Sequence, residues 1–90
     1  VHNVEPEIKS CVLTKFAING FSVKELGADL YEIRPRGMEL QLPNTYMWIR
    51  EVKEGLIILN MNGTFRGSKK KTYMQQNIDT WVAQCKASMP

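Results

Sequence analysis

The chain contains few of the residues on which catalysis and metal binding usually depend. Its 90 residues include a single histidine, His2, and two cysteines, Cys11 and Cys85. Two cysteines and one histidine do not supply the four ligands of a typical structural zinc site. A lone histidine beside the N-terminus also leaves the serines without a positioned general base. The sequence therefore predicts a non-catalytic domain, with no catalytic residue, no metal and no cofactor.

Long hydrophobic runs are missing as well. No apolar run exceeds four residues, as in Leu56 to Leu59, whereas a membrane-spanning helix needs about 20. The composition, 43% hydrophobic and 23% charged, is that of an ordinary globular domain. We therefore expect one domain at residues 11–90, no contact with a membrane, and a linker or entry segment at residues 1–10. A chain that begins with Val1 is expected to be a piece of a longer protein.

The two cysteines leave two interpretations open. Cysteine is often buried without forming a bond, which favours two reduced core thiols in an intracellular protein. The alternative is a Cys11–Cys85 disulfide in a secreted domain. In that case Asn62-Gly63-Thr64, which we otherwise interpret as a turn, matches a glycosylation acceptor sequence.

Turn signals divide most of the chain into six short apolar segments. Asn19-Gly20 is typical of a two-residue hairpin turn, because both residues tolerate positive φ. The last two segments are apolar on both sides, so we expect them in the centre of the sheet. The six predicted strands cover residues 11–18, 21–26, 30–34, 38–42, 46–52 and 56–61.

The segment before the C-terminus predicts a helix. Apolar residues recur there at spacings of four, three, one and three, which places them on one helical face. Thr72 and Gln75 match a capping box at its start, and the helix is expected to run to about Ala87. The predicted fold is α+β, a six-stranded antiparallel β-meander with one C-terminal α-helix packed across it. The stripe consists of Met74, Ile78, Trp81, Val82 and Cys85.

Cations and aromatic side chains are the remaining functional signals. Net charge is +3, and the sequence RGSKKK at residues 66–71 is either a solvated loop or a phosphate-binding loop of a small basic nucleic-acid-binding domain. One face of the strand around Trp48 is expected to remain free for a protein partner. The predicted partner-binding residues are Tyr31, Arg34, Arg36, Tyr46, Trp48, Arg66, Lys69, Lys70 and Lys71.

The order of the predicted elements resembles a polo box. The resemblance covers GADLYEIRPRGMELQLP at residues 27–43, TYMWIREVKEGLIIL at 45–59, and TYMQQNIDTWVAQCK at 72–86. The turn Pro35-Arg36-Gly37 departs from the Asp/Asn-Gly type usual in polo boxes. The short single-box form is most similar to the C-terminal, third polo box of the centriolar polo-like kinases.

This resemblance implies a function. The domain is expected to be a non-catalytic part of a serine/threonine-protein kinase of centriole duplication, located in the cytoplasm at the centriole or centrosome. Its expected partner is a helical segment of a centriolar scaffold protein, and binding is expected to help relieve kinase autoinhibition. Homodimers are a further expectation. Phosphopeptide binding is not expected, because the body of the domain has no histidine for the His–Lys pair that mitotic polo boxes use.

Overall fold

The computed structural model describes residues 5–53 and 55–88, which fold into two helices and one sheet. The α+β class is therefore confirmed, but the predicted six strands and single helix are wrong for these residues. The elements are α1 (Pro6–Ile18), β1 (Phe21–Glu25), β2 (Leu30–Pro35), β3 (Tyr46–Val52), β4 (Gly55–Asn62), a 3-10 turn (Gly63–Phe65) and α2 (Ser68–Ser88).

The four strands form one antiparallel meander in the order β1-β2-β3-β4. Tyr31 on β2 lies opposite Ile49 on β3, which in turn lies opposite Ile58 on β4. Because side chains alternate along a strand, this register turns one apolar set toward the same face. We call this side the inner face. Its buried apolar side chains are Tyr31, Ile33, Met47, Ile49, Leu56 and Ile58.

Both helices cover the inner face. α1 packs against β1 and α2, and α2 packs against β4. α1 contributes Ile8, Val12 and Phe16, one turn apart, and α2 contributes the predicted stripe, in which Ile78, Val82 and Cys85 are buried. Trp81 packs edge-to-face on Phe16 with 4.9 Å between ring centroids. Full burial of one such apolar side chain stabilises the fold by about 1.5–3 kcal/mol.

The first predicted strand is wrong, because residues 11–18 belong to α1. Val12 and Phe16 fit a two-residue period and a four-residue period equally well. Ile8 decides between them, since it extends the four-residue series into the segment predicted as a linker. Pro6 lies in the first turn of the helix, where its fixed φ is favourable and its missing N–H costs nothing. Residues 6–10 are therefore helical, and residues 1–4 lie outside the described part of the chain.

Asn19-Gly20 ends α1 and does not join two strands. The amide of Asn19 donates to the carbonyl of Lys15 at 3.0 Å, and that of Gly20 to the carbonyl of Ala17 at 3.3 Å. Gly20 has φ of 90°, the left-handed conformation that commonly follows the last turn of a helix. The chain then enters β1 directly.

The fourth predicted strand is also wrong. Residues 38–42 form turns after Gly37, which has φ of 79°. β2 pairs directly with β3, so this alternating segment has no neighbouring strand to bond, and Leu40 is 92% exposed. β3 is central as predicted. β4 was predicted to be central but lies at the edge of the sheet.

The start of α2 differs from the prediction as well. Asn62-Gly63, which we interpreted as part of a turn, leads into a 3-10 turn at Gly63–Phe65. Gly63 has φ of 65°, and a Cβ there would lie 2.2 Å from Thr45 Oγ1, so this position requires glycine. α2 begins at Ser68, four residues before Thr72, and the predicted capping box is therefore wrong.

A disulfide joins the two helices. Cys11 on α1 and Cys85 on α2 are bonded, with their Cα atoms 6.1 Å apart, a normal separation for this bond. The interpretation as two reduced thiols is therefore wrong, and the alternative pairing is the one observed. Among residues 5–53 and 55–88, no helix combines the length and apolarity required to cross a membrane.

Candidate functional site

The second face of the sheet, which we call the outer face, carries no helix or strand of the described residues. Its side chains alternate with those of the core along the same strands. The strand register aligns Lys24, Glu32, Trp48 and Asn60 in one row across all four strands. Glu32 and Trp48 in the middle of this row are half-buried, whereas Lys24 and Asn60 at its ends are exposed. The outer face also includes Ser22, Leu30, Arg34, Tyr46, Arg50, Ile57 and Asn62.

Glu32 organises the centre of the outer face. Its carboxylate accepts a hydrogen bond from Trp48 Nε1 at 3.0 Å and one from Arg34 Nε at 2.8 Å. Burial tends to raise the pKa of Glu32, but the hydrogen bonds from Arg34 and Trp48 outweigh it and the pKa is lowered. Glu32 therefore stays ionised at neutral pH and holds the indole and guanidinium in place.

Tyr46 completes the cluster beside Trp48. The two ring centroids are 5.3 Å apart with planes inclined by 30°. The Arg34 guanidinium lies 5.5 Å from the centre of the Tyr46 ring, and Arg34 Nη1 donates to the carbonyl of Pro43 at 2.7 Å. These contacts restrain all three side chains in the free chain. Restraint of this kind reduces the entropy that binding must overcome.

A cleft of about 460 Å³ opens beside this cluster, between the first two strands and the loop at residues 36–45. Ser22 Oγ donates to Glu39 Oε1 at 3.2 Å and tethers the loop to β1. The tip of the loop exposes Met38 and Leu40 to solvent. The outer face therefore combines aromatic, charged and apolar groups within reach of one ligand. The cleft is lined by Ser22, Lys24, Glu32, Arg34, Glu39 and Pro43.

A second surface, the basic end, lies where α2 begins. Lys69, Lys70 and Lys71 are exposed in its first turn, which contains no acidic residue. Their positive charges lie at the positive end of the helix dipole, and this repulsion destabilises the helix. Lys70 Nζ donates to the carbonyl of Thr64 at 2.5 Å. This end of the molecule therefore carries a positive potential even though the lysines destabilise the helix.

Tertiary structure joins two cationic groups that are far apart in sequence. Phe65, next to Arg66, contacts Phe21 with ring centroids 5.9 Å apart. Arg36 Nη2 donates to the carbonyl of Phe21 at 3.0 Å and also to that of Ala17. Arg36 and Arg66 thus flank the same aromatic contact at one end of the sheet. Arg34 and Tyr46 lie on the outer face at this same end.

Tyr31 is the predicted site residue that the structure removes from the surface. It is 1% exposed, and its hydroxyl donates to Glu51 Oε1 at 2.6 Å. Lys9 Nζ lies 3.1 Å from the same oxygen. The reason is register: Tyr31 lies opposite Ile49, whereas Trp48 lies opposite Glu32, so Tyr31 and Trp48 point to different faces.

The trio of half-buried Lys9 with buried Tyr31 and Glu51 was not anticipated from the sequence. Burial, followed by the hydrogen bond to Glu51, raises the pKa of Tyr31. The pKa of Lys9 is also raised, by Tyr31 and then Glu51. The signal was available, since Glu51 follows Ile49 at the two-residue period of the inner face. Its position links α1 to the sheet, which is a structural role.

Comparison with known proteins provides no family for this chain: no family model, curated protein or solved structure matches it. The polo-box assignment therefore stays a prediction. In the described ranges, 5–53 and 55–88, no cluster of three or more His, Cys, Asp or Glu side chains is placed to hold a metal ion.

Proposed function

We propose that this chain is a non-catalytic protein-interaction domain that binds its partner on the outer face of the sheet. The observation that carries the proposal is the restrained cluster of Trp48, Tyr46 and Arg34 on a face that no described element covers. Tryptophan, tyrosine and arginine are the residue types that dominate binding energy at protein interfaces. A sheet face that is merely solvated does not require aromatic side chains held in place by hydrogen bonds and ring contacts.

The charges indicate what the partner contains. Lys24, Arg34 and Arg50 point outward from the strands. Glu32 pairs with Arg34, Asp29 lies 3.8 Å from Arg50, and Glu39 lines the cleft, so Lys24 and the adjoining basic end supply the remaining positive charge. The exposed loop tip and Ile57 add apolar area. The partner segment that fits is aliphatic or aromatic at its centre and acidic at its flanks. Opposite charges of this kind mainly raise the association rate and set orientation.

The resemblance to the third polo box supplies one specific form of this proposal. In that form the partner is a helical segment of a centriolar scaffold protein, and the domain belongs to a centriole-duplication kinase that it helps to release from autoinhibition. The six-stranded layout of a polo box is not that of the described residues. Disulfides are also rare in the cytosol, and this chain has one. This specific form depends on the sequence resemblance alone.

Nucleic-acid binding through the basic end is the alternative. It is supported by three exposed lysines in a helix turn that would be more stable without them. Binding of this type depends on phosphate contacts, so affinity falls steeply with salt, with a logarithmic slope of about −0.7 to −0.9 for each contact. The outer face would not be required for it.

A peptide-display selection on the immobilised chain separates the two functions. Short peptides selected on wild type are measured against a Tyr46→Ser, Trp48→Ser double variant whose fold is checked by circular dichroism. We expect acidic, aliphatic peptides whose affinity falls at least about tenfold, or 1.4 kcal/mol, on the double variant. Tyr73→Ser removes an aromatic ring that is 66% exposed elsewhere and should leave binding unchanged.

Two outcomes would contradict the proposal. One is equal peptide affinity for wild type and the double variant. The other is a chain that selects no peptide but binds single-stranded DNA with a steep salt slope, lost on changing Lys69, Lys70 and Lys71 to Glu. That triple change should leave folding intact, since acidic residues suit the first turn of a helix, while weakening an acidic peptide only modestly.

A further inference from the structure

The sequence Asn62-Gly63-Thr64 lies at the surface where β4 passes into the 3-10 turn. Asn62 is the last residue of the edge strand, on the outer face opposite Tyr46. Thr64 is exposed. The acceptor pattern for N-linked glycosylation is therefore presented at a strand end on the surface, a placement that a bulky modification tolerates.

The fold explains why Asn62 and Gly63 occupy their positions, but not why Thr64 does. Gly63 is required, because a Cβ would collide with Thr45. Asn62 Nδ2 donates to the carbonyl of Asn44 at 2.9 Å, which holds the loop before β3. The described contacts of Thr64 run through its backbone, with its N–H donated to Thr45 Oγ1 at 3.2 Å and its carbonyl accepting from Lys70. Its exposed hydroxyl is the element of the pattern that folding does not explain.

The Asn62 amide keeps its structural role after modification. A primary amide nitrogen carries two N–H bonds, and a single one is sufficient for the hydrogen bond to Asn44. Attachment of a sugar replaces one N–H and leaves the other. The tether between β4 and the loop at residues 36–45 is therefore compatible with a glycan at this nitrogen.

The Cys11–Cys85 bond supplies an independent observation about the compartment. Disulfides form and persist in oxidising environments, above all the secretory pathway, and are rare in the cytosol. This bond joins two helices across a separation of 74 residues, and Cys85 is fully buried. It is therefore part of the folded core. The compartment that forms it is also the one in which asparagine-linked glycosylation takes place.

We infer that Asn62 is an N-glycosylation site and that this chain folds in the secretory pathway. The co-reactant is an oligosaccharide linked to a lipid through pyrophosphate. A bond forms between Asn62 Nδ2 and the anomeric carbon, and the bond from that carbon to the pyrophosphate oxygen breaks. The lipid pyrophosphate leaves with the electron pair, the nitrogen loses one proton, and nothing is oxidised or reduced.

The inference goes beyond the proposed binding function and has a consequence for the sheet edge. Gln75 covers β4 at Leu56 and Ile58, and a glycan on Asn62 stands beside the other end of the same strand. Covered edges resist pairing with other chains. The glycan also borders the outer face next to Tyr46, so a partner would approach from the β1 side.

The test is expression of the 90-residue chain behind a secretion leader in mammalian cells, with intact mass measured before and after peptide-N-glycosidase treatment. We expect a glycan mass that the enzyme removes, leaving aspartate at position 62. Asn62→Gln and Thr64→Val should abolish it. Thr64→Ser, which keeps the hydroxyl, and Asn60→Gln, a neighbouring asparagine outside the pattern, should retain it.

Two results would overturn the inference. The first is secreted wild-type chain with an intact disulfide and an unmodified Asn62. The second is chain recovered with both cysteines reduced. Neither result bears on peptide binding by the outer face, provided that binding is measured on unglycosylated chain produced in bacteria. The two proposals therefore fail independently.

Discussion

The two faces of the sheet use the same strands for opposite purposes. On the inner face, Ile33 and Met47 are inaccessible to solvent beneath the helices. One residue away on the same strands, Glu32 and Trp48 lie half-exposed on the outer face. The inner face buries apolar area and stabilises the fold, whereas the outer face holds its polar and aromatic groups in place through hydrogen bonds. The comparison teaches that the cluster on the outer face is built on strands whose stability comes from the inner face.

The largest expected effect tests the inner face directly. Phe16→Ala should lower the free energy of unfolding by about 3–5 kcal/mol, because it empties a site packed by Phe21 and Trp81. Trp48→Ala on the outer face should cost only about 1–2 kcal/mol, despite removing a larger side chain. Urea unfolding measures both. Equal losses would mean that the outer face contributes to the core and is not a free surface.

The disulfide tests how firmly the two helices are held over the inner face. Reduction, or the double change of Cys11→Ala and Cys85→Ala, should lower stability by about 2–4 kcal/mol, because the long loop regains its freedom in the unfolded chain. Thermal unfolding with and without dithiothreitol provides the measurement. The unfolding temperature of the double variant should not change with dithiothreitol. If that of the wild-type chain does not change either, the bond does not form.

The trio of Lys9, Tyr31 and Glu51 predicts alkaline sensitivity of the inner face. The pKa of Tyr31 is raised above 10.0 and that of Lys9 above 10.5. Raised values mean that the protonated forms stabilise the fold, so this stability is present below about pH 10 and lost as pH rises through the raised pKa values. Tyr31→Phe should cost about 1–3 kcal/mol near neutral pH, because Glu51 loses a buried donor, and should weaken the alkaline loss. Tyr73→Phe, at an exposed site, is the control, and parallel pH profiles for wild type and Tyr31→Phe would refute the linkage.

The smallest effect concerns the edge between the two faces. Gln75 Oε1 accepts from the amide of Ile58, and Gln75 Nε2 donates to the carbonyl of Leu56, each at 2.9 Å. The side chain thus occupies the backbone groups that another strand would bond. Gln75→Leu should cost about 1 kcal/mol and increase aggregation, measured by light scattering. Gln76→Leu adds the same side chain at an exposed position of the same helix, and aggregation equal to that of Gln75→Leu would refute the edge role.

Much of the fold was predictable because strong local periodicity survives tertiary packing. The stripe from Met74 to Cys85 specifies one helical face and is confirmed in α2. Four of the six predicted strands correspond to β1–β4. Residues 11–18 were wrong because Val12 and Phe16 satisfy both the strand and helix periods. Residues 38–42 were wrong because alternation alone does not supply a neighbouring strand to pair with.

The candidate site was predictable only in part. The sequence gives the type of each residue but not the face of the sheet to which its side chain points. Arg34, Tyr46 and Trp48 come together on the outer face, while Tyr31 belongs to the core. Glu32 holds the cluster together, yet a glutamate between two apolar strand residues gives no sign of its partners. Arg36 and Arg66 lie at the same end of the sheet because the Phe21–Phe65 contact brings the chain back there.

Sequence by itself determined the α+β class, the C-terminal helix and the central place of β3, because composition and short-range period are local properties. Tertiary structure decided the bond between Cys11 and Cys85, the additional helix α1, the position of β4 at the edge of the sheet, and the face to which each side chain points. These depend on register and on packing between distant segments, and a shift of one residue in register would exchange the two faces.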